Sequence, residues 1–448
     1  MSAKKTTKLP WLTLAVAAFA APLGANAADW EQIHQLPTAQ AHFITADGTH
    51  LLSDFLDNRK GGIYISTDHG TTWEKTDVRD YNYQKFYEAD GYIFALGYDG
   101  RIARSEDGGR SWIVLNYTGT LKGVIEDKAL DSCVAYGMTK HRDRIYIADF
   151  AGGGVLYTTD NGETWAVTDR ESMLINPWGD LVMDNFYNVV DFNDTLYAFG
   201  ALSVHRFNDD TEKWEQLPIN SNFMAVSTIK DGKLFCGRAN PNFDSTLEYL
   251  LCTEDGETWN RIEAPAEYNE LTGLSRNVRC IHSDADYIYT AGPDGMTDNE
   301  PGVMPPFVNC PDFFFTADLG ASWTRVEGLP QRMYPLTIQS DDDYVYVALY
   351  SPIESDSKSG LWRIAKADMA TAGVDSPAGA EGLNVSIVAD RLSVGASNVT
   401  GIAIYDAAGK AVAAVDGKSE VSLAGLGKGV YLYRVTTPEG AVAGKFVR

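Results

Sequence analysis

The chain is poor in cysteine, and the few it has are not arranged for chemistry. Five occur in 448 residues, at positions 133, 236, 252, 280 and 310, with no C-x-x-C pair among them, which excludes the common zinc and redox motifs. Basic residues are also in short supply. The 37 Lys and Arg face 61 Asp and Glu, for a formal net charge of −24. So acidic a chain repels phosphate backbones and anionic headgroups, which excludes nucleic acid and membrane surfaces as partners. Long hydrophobic runs are missing, since no stretch reaches the roughly 18 apolar residues of a spanning helix. There is no G-x-S-x-G elbow, no H-E-x-x-H pair and no phosphate-binding glycine loop. The seven histidines, His34, His42, His50, His69, His141, His205 and His282, are scattered. No metal and no cofactor is therefore expected.

What is present begins with a leader. Lys4, Lys5 and Lys8 form a positive start, Trp11 to Leu23 an apolar stretch, and Ala25-Asn26-Ala27 a small-residue cleavage site. These are the three parts of a secretory signal over residues 1–27. Its removal takes the three lysines with it and leaves a mature chain of net charge −27.

One octapeptide then recurs. It reads Ser66-Thr-Asp68-His-Gly70-Thr-Thr72-Trp73, with Asp107, Asp160 and Asp318 at the centres of three more full copies. A copy around Asp255 is one residue shorter, and Phe207 to Trp214 keeps the Asp and the Trp. The carboxylate can accept hydrogen bonds within its own turn, as can the Ser or Thr hydroxyls. Gly supplies a positive φ, and Trp buries a large ring at the start of the next strand. Asp68, Asp107, Asp160, Asp255 and Asp318 are therefore read as structural. The pattern S/T-x-D-x-G-x-S/T-W resembles the Asp-box, or BNR repeat.

A second repeat lies between the boxes, an acidic tight turn followed by a β-branched and aromatic strand. It occurs at Asp47, Asp90, Asp143, Asp194, Asp231, Asp286 and Asp343, which makes seven hairpin signals. Each unit reads as four antiparallel strands, the composition of a propeller blade. The seventh unit lacks a Trp-led last strand, while the mature chain opens on an isolated one, Trp30-Glu-Gln-Ile33-His-Gln-Leu36. The expected fold is all-β, a seven-bladed propeller over residues 28–369 closed by the N-terminal strand, at about 49 residues per blade.

Lys366 to Gly382 is rich in Ala, Gly and Ser and reads as a linker, with residues 370–382 separating the propeller from a small C-terminal β-sandwich over 383–448. That last segment carries Ile404-Tyr405-Asp406…Gly409-Lys410, Lys428-Gly429-Val430-Tyr431-Leu-Tyr-Arg434-Val435 and Lys445-Phe446-Val447-Arg448. It resembles the C-terminal sorting domain of the type IX secretion system of Bacteroidetes. The resemblance implies engagement of that secretion machinery and a place outside a Gram-negative cell or on its outer surface. An ordinary accessory β-sandwich is the alternative. Asp244-Ser245-Thr246 resembles the O-glycosylation sequon of the same bacteria.

Propellers with Asp-boxes host enzymes and binding scaffolds alike. Sialidases grip a carboxylate with three arginines, and the Arg-Ile-Pro they carry near the first blade is absent here. A hydrolase of neutral polysaccharides would need two carboxylates about 5–9.5 Å apart; acids occur on nearly every loop, and no catalytic pair can be selected. Photosystem assembly factors and sortilin-like receptors use the fold without catalysis. The expected role is recognition of an extracellular glycan or protein, with the neutral-glycan hydrolase as alternative. In an up-and-down blade the Asp-turns and boxes share one face, and every long connection lies on the other. The binding residues expected there are Trp178, Arg170, Glu171, Tyr81, Tyr83, Arg238, Arg276 and Tyr334, because aromatic platforms beside Arg suit sugars and peptides. Trp178, in Asn176-Pro177-Trp178-Gly179-Asp180, follows no Asp-box and leads. Cys236 and Cys252, on adjacent strands, are expected to form a disulfide, with Cys280 and Cys310 as a second pair.

Overall fold

A computed structural model of the chain describes residues 30–447 except 37–38, 55–60, 80–81, 98–100, 116–134, 151–152, 220–223, 238–249, 264–277, 293–311, 331–332, 351–356, 373–384, 389–390, 396–397, 407–409, 428 and 439. The expected leader, the sequon at 244–246, Cys133 and Cys310 lie outside the described residues.

Between residues 31 and 365 the described chain forms seven four-stranded antiparallel sheets and one small hairpin. Six of the sheets are simple meanders, each with its strands in chain order. The first strands of the seven sheets are Ala39–Ile44, Tyr83–Ala89, Ala135–His141, Phe186–Phe192, Val226–Lys230, Cys280–Ser283 and Tyr334–Ser340. Each lies against the first strand of the next sheet, and Tyr334–Ser340 lies in turn against Ala39–Ile44. The seventh sheet continues with Tyr344–Tyr350 and Gly360–Ala365, and its fourth strand is Glu31–Gln35, paired antiparallel to Gly360–Ala365. Trp30 anchors the start of that strand through its indole N–H to the Glu327 carbonyl and an edge contact on Phe313.

Burial explains the strand sequences. The second strands, such as Tyr92–Gly97, Arg144–Asp149 and Tyr344–Tyr350, are buried almost throughout. They read as continuous β-branched and aromatic runs because both of their faces are covered by neighbouring sheets. Every neighbouring pair of sheets shares an apolar cluster. Phe94, Ile102, Ile147, Leu156 and Trp165 join the second sheet to the third, and Leu36, Ala39, Leu52, Tyr346 and Leu361 join the seventh to the first. Between the third and fourth sheets the backbones come so close that a Cβ on Gly137 would meet the Asn188 Cα at 2.9 Å.

The boxes fold as turns between third and fourth strands. Asp68 Oδ1 accepts from the Ser66 hydroxyl and the Thr72 amide, and its Oδ2 accepts from the Thr72 hydroxyl at 2.6 Å. Asp107, Asp160 and Asp318 repeat the pattern with their own flanking hydroxyls. The Trp73, Trp112, Trp165 and Trp259 indoles each donate to the carbonyl of the box glycine. The side-chain bonds thus close the turn, and the ring is pinned against the preceding sheet.

Two expectations are corrected. Lys366–Ala372 is a helix, and its Met369 is buried with Phe313, Leu349 and Ile364. Ala, Lys and Met are good helix formers, so the Ala-rich composition there makes a plug, and the linker can begin no earlier than residue 373. Cys236 and Cys252 are both free and buried. Their strands do pair, but Cys236 stands opposite Leu251 and Cys252 opposite Phe235. That offset of one residue puts the two thiols on opposite faces of the sheet: Cys236 packs with Phe199 and Leu234, Cys252 with Phe314 and Ile288. Cys280 is free and buried as well.

Residues 385–447 form a three-stranded sheet (Val385–Val388, Arg391–Val394, Glu420–Ser422) and a four-stranded one (Ala411–Asp416, Gly401–Asp406, Val430–Thr437, Gly440–Val447). Leu392, Ile402, Ile404, Leu423, Val435 and Phe446 make one core between them.

Candidate functional site

Most of the long connections fall outside the described residues, and Tyr81, Arg238 and Arg276 fall there with them. The insertion from 168 to 186 is described, and it is built to hold its tip rigidly. Glu171–Met173 makes one 3-10 turn, then Leu174–Ile175 pairs with Val182–Met183 in a small hairpin. Met173 is buried and Met183 packs on the same core, against Phe186 and Trp214. The Ser172 hydroxyl accepts the Trp214 amide at 2.8 Å, and the Trp214 indole donates to Thr168 Oγ1 at 2.9 Å. On the far side, buried Asp184 accepts the amides of Leu202 and Ser203 and the Ser203 hydroxyl.

The hairpin's tip has the opposite character. Trp178 is 78% exposed and Leu181 67% exposed, with Gly179 between them in the left-handed region at φ 99°. The tip thus holds two large apolar side chains in water on an anchored stem. Arg170 and Glu171 sit at the foot of the same insertion, Arg170 half-buried and Glu171 exposed.

The other expected residues lie elsewhere. Tyr83 is a correction: it is on a strand, fully buried among Leu51, Ile63 and Ile93. The alternation of its strand turns the ring into the first sheet's core, so it can meet no ligand. Tyr334 opens the strand Tyr334–Ser340, stacked on Tyr350 with the Arg279 guanidinium 4.7 Å from its ring.

Buried acids mark the loop-bearing ends of several sheets, and hydrogen bonds or ion pairs occupy them. Asp54 accepts the Gly62 amide, Asp149 the Gly153 amide, and Asp312 pairs with Arg325 at 2.6 Å. Burial raises the Asp54 and Asp312 carboxyls above their usual value, with the Gly62 amide and Arg325 respectively opposing it. Asp184, Ser203 and His205 look like a hydrolytic triad, yet the order is wrong. The Ser203 hydroxyl donates to Asp184 at 2.6 Å and lies 3.4 Å from His205 Nδ1, with all three groups buried. The serine proton therefore goes to the acid and not to a base, which leaves no activated nucleophile.

Two histidine groupings have no local signal in the sequence. His50 and His69 of the first sheet meet Asp341 of the seventh, and His141 sits between Asp191 and Asp209. His69 and Asp341 are 272 positions apart, so no local pattern marks them. On the first strand of the second sheet, burial pulls Lys85 down to about 8.

Among family models, BNR/Asp-box repeat matches residues 64–75. No curated protein matches the chain. Among solved structures, YCF48 bound to D1 peptide is 14% identical with a TM-score of 0.49, covering 76% of this chain and 97% of that one. YCF48 from Cyanidioschyzon merolae is 14% identical with a TM-score of 0.47, covering 75% and 98%. The extracellular domain assigned to a hybrid two-component system of B. thetaiotaomicron is 11% identical with a TM-score of 0.45, covering 94% of this chain and 46% of that one. No helix among the described residues is long and apolar enough to cross a membrane. The matched repeat coincides with the first of the hydrogen-bonded Asp turns, the one centred on Asp68.

Proposed function

We propose that the chain is a secreted or surface-displayed seven-bladed β-propeller that binds an extracellular glycan or protein on the face carrying its long connections. The seven sheets, the cyclic contacts of their first strands and the pairing of Glu31–Gln35 with Gly360–Ala365 support the ring and its closure. The leader at 1–27 supports export. The resemblance of residues 383–448 to a type IX sorting domain supports passage through that machinery.

One observation carries the binding role, the exposure of Trp178 and Leu181 at the tip of a hairpin whose stem is packed and hydrogen-bonded. Because the stem is already anchored, the backbone of the tip has little order left to lose when it meets a partner, and aromatic anchors of this kind dominate binding energy. Trp178 is the central contact, with Arg170 and Glu171 as polar neighbours. The buried acids Asp54, Asp149 and Asp184 on this face are taken by backbone amides, which favours recognition over hydrolysis. Immobilised neutral and acidic glycans and purified extracellular proteins, probed with the full chain, test this. Retention on one class without release of reducing ends is the expected result. Release of reducing ends from a neutral polysaccharide would replace the binder with the hydrolase.

A further inference from the structure

We propose that His50, His69 and Asp341 form a binding site for a divalent transition-metal ion, zinc above others, that clamps the seventh sheet to the first. The three residues come from three separate elements. His50 opens the second strand of the first sheet, His69 stands beside Asp68 in that sheet's Asp-box turn, and Asp341 follows the first strand of the seventh sheet. One ligand atom from each lies within 4.8 Å of the other two. His69 Nδ1 is 3.0 Å from Asp341 Oδ2, and His50 Nε2 is 3.8 Å from the same oxygen. Tetrahedral zinc with bonds of about 2.0–2.1 Å holds its donors about 3.3 Å apart. The exposed His69 side chain, at 59%, can make the small adjustment.

The second observation is at His50. Its ring is fully buried, and its Nε2 has no hydrogen-bond partner; 3.8 Å to Asp341 is too long for one. Its Nδ1 lies 3.1 Å from His42 Nε2. With the proton on Nδ1 and donated to His42, the Nε2 lone pair faces Asp341 and His69. This is how a second-shell partner orients a metal-binding imidazole. Asp341 is equally fixed. Its Oδ1 accepts the amides of Asp343 and Tyr344 at 2.9 and 2.7 Å, and its Oδ2 accepts the Tyr346 hydroxyl at 2.7 Å.

The nearby Arg363 guanidinium does not compete. Arg363 donates to the His69 carbonyl, but Glu31 meets its charge at 2.9 Å. Two imidazoles and a carboxylate suit zinc and leave a fourth position on the exposed side, beside His69. The cluster at His141 differs. Both of its ring nitrogens are taken by Asp191 and Asp209, and Arg142 reaches Asp209 and Asp194, so it offers no comparable donor.

The site lies at the junction of the first and seventh sheets, on the short-turn face, and does not depend on what the loop face binds. Untagged full chain, stripped with EDTA, is titrated with zinc chloride by calorimetry near neutral pH. Saturable binding is expected, with a rise in Tm. His69→Ala, which removes an exposed side chain and leaves the fold intact by circular dichroism, weakens binding about tenfold or more and abolishes the rise, as does His50→Gln. Absence of saturable zinc binding in the parent chain, or an isotherm that His69→Ala leaves unchanged, overturns the proposal.

Discussion

At the scale of single residues, chemistry here is decided by which face of a strand a side chain takes. Cys236 and Cys252 are near enough in the sequence pattern to suggest a bond, and one step of register separates them. Burial pushes the Cys280 thiol up to about 12 and the Cys236 thiol higher still, Cys252 adding to the latter. Mass spectrometry of the unreduced chain should find free thiols at 236, 252 and 280, alkylated only after unfolding; a 236–252 bridge would contradict the register. Histidines are decided in the same way. His50, His205 and His282 are each brought down to about 4, with burial the leading cause. Folded, they stay neutral, whereas the unfolded chain protonates them near pH 6.5. Their stabilising contribution is complete above about pH 6.5 and is lost as pH falls toward 4, by up to about 3 kcal/mol per group. In EDTA the Tm should therefore fall steeply between pH 6.5 and 4, and His205→Gln should flatten the fall. A Tm constant across that window would contradict these burials. The Asp-box roles were legible because every bond that defines them lies within eight residues. Tyr83 was misread because its loop-like neighbours hide that it is the first residue of an inner strand.

At the scale of elements, the repeat made the hairpins and box turns legible, since alternation and turn chemistry are local signals. The helix at 366–372 was missed because its composition suits both a linker and a short helix, and burial of Met369 chooses between them. The isolated strand Glu31–Gln35 is the element with the largest consequence. It covers the edge of Gly360–Ala365, Leu36 donates its amide to Ser359, and Ile33 and Leu36 pack at the junction of the seventh and first sheets. Deleting residues 28–38 should expose that edge for pairing between chains, lowering Tm and causing aggregation. A chain ending at Ala372, which keeps the Met369 plug, should melt as a single cooperative unit with nearly the parental Tm. If the N-terminal deletion keeps the parental Tm and the C-terminal truncation unfolds, the closing role of the strand is wrong.

At the scale of the whole molecule, rigidity and exposure are divided between two faces. The short-turn face is stitched by Asp-boxes and by Asp341 with His50 and His69, while the other face carries the hairpin with Trp178. Trp178 is proposed to recognise a ligand, unlike the box tryptophans that hold sheets together. Trp165 is 4% exposed and packed among Phe94, Ile147 and Leu156. Trp165→Ala should lower stability by about 3–5 kcal/mol, the cost of a buried aromatic lost from a core, and leave the affinity of the folded fraction unchanged. Trp178→Ala should keep the parental Tm and weaken binding about thirtyfold, or roughly 2 kcal/mol. Measured side by side on the ligand class that retains the parent chain, that crossed pattern is the predicted result. Parental affinity in Trp178→Ala, or a loss of stability like that of Trp165→Ala, would contradict it.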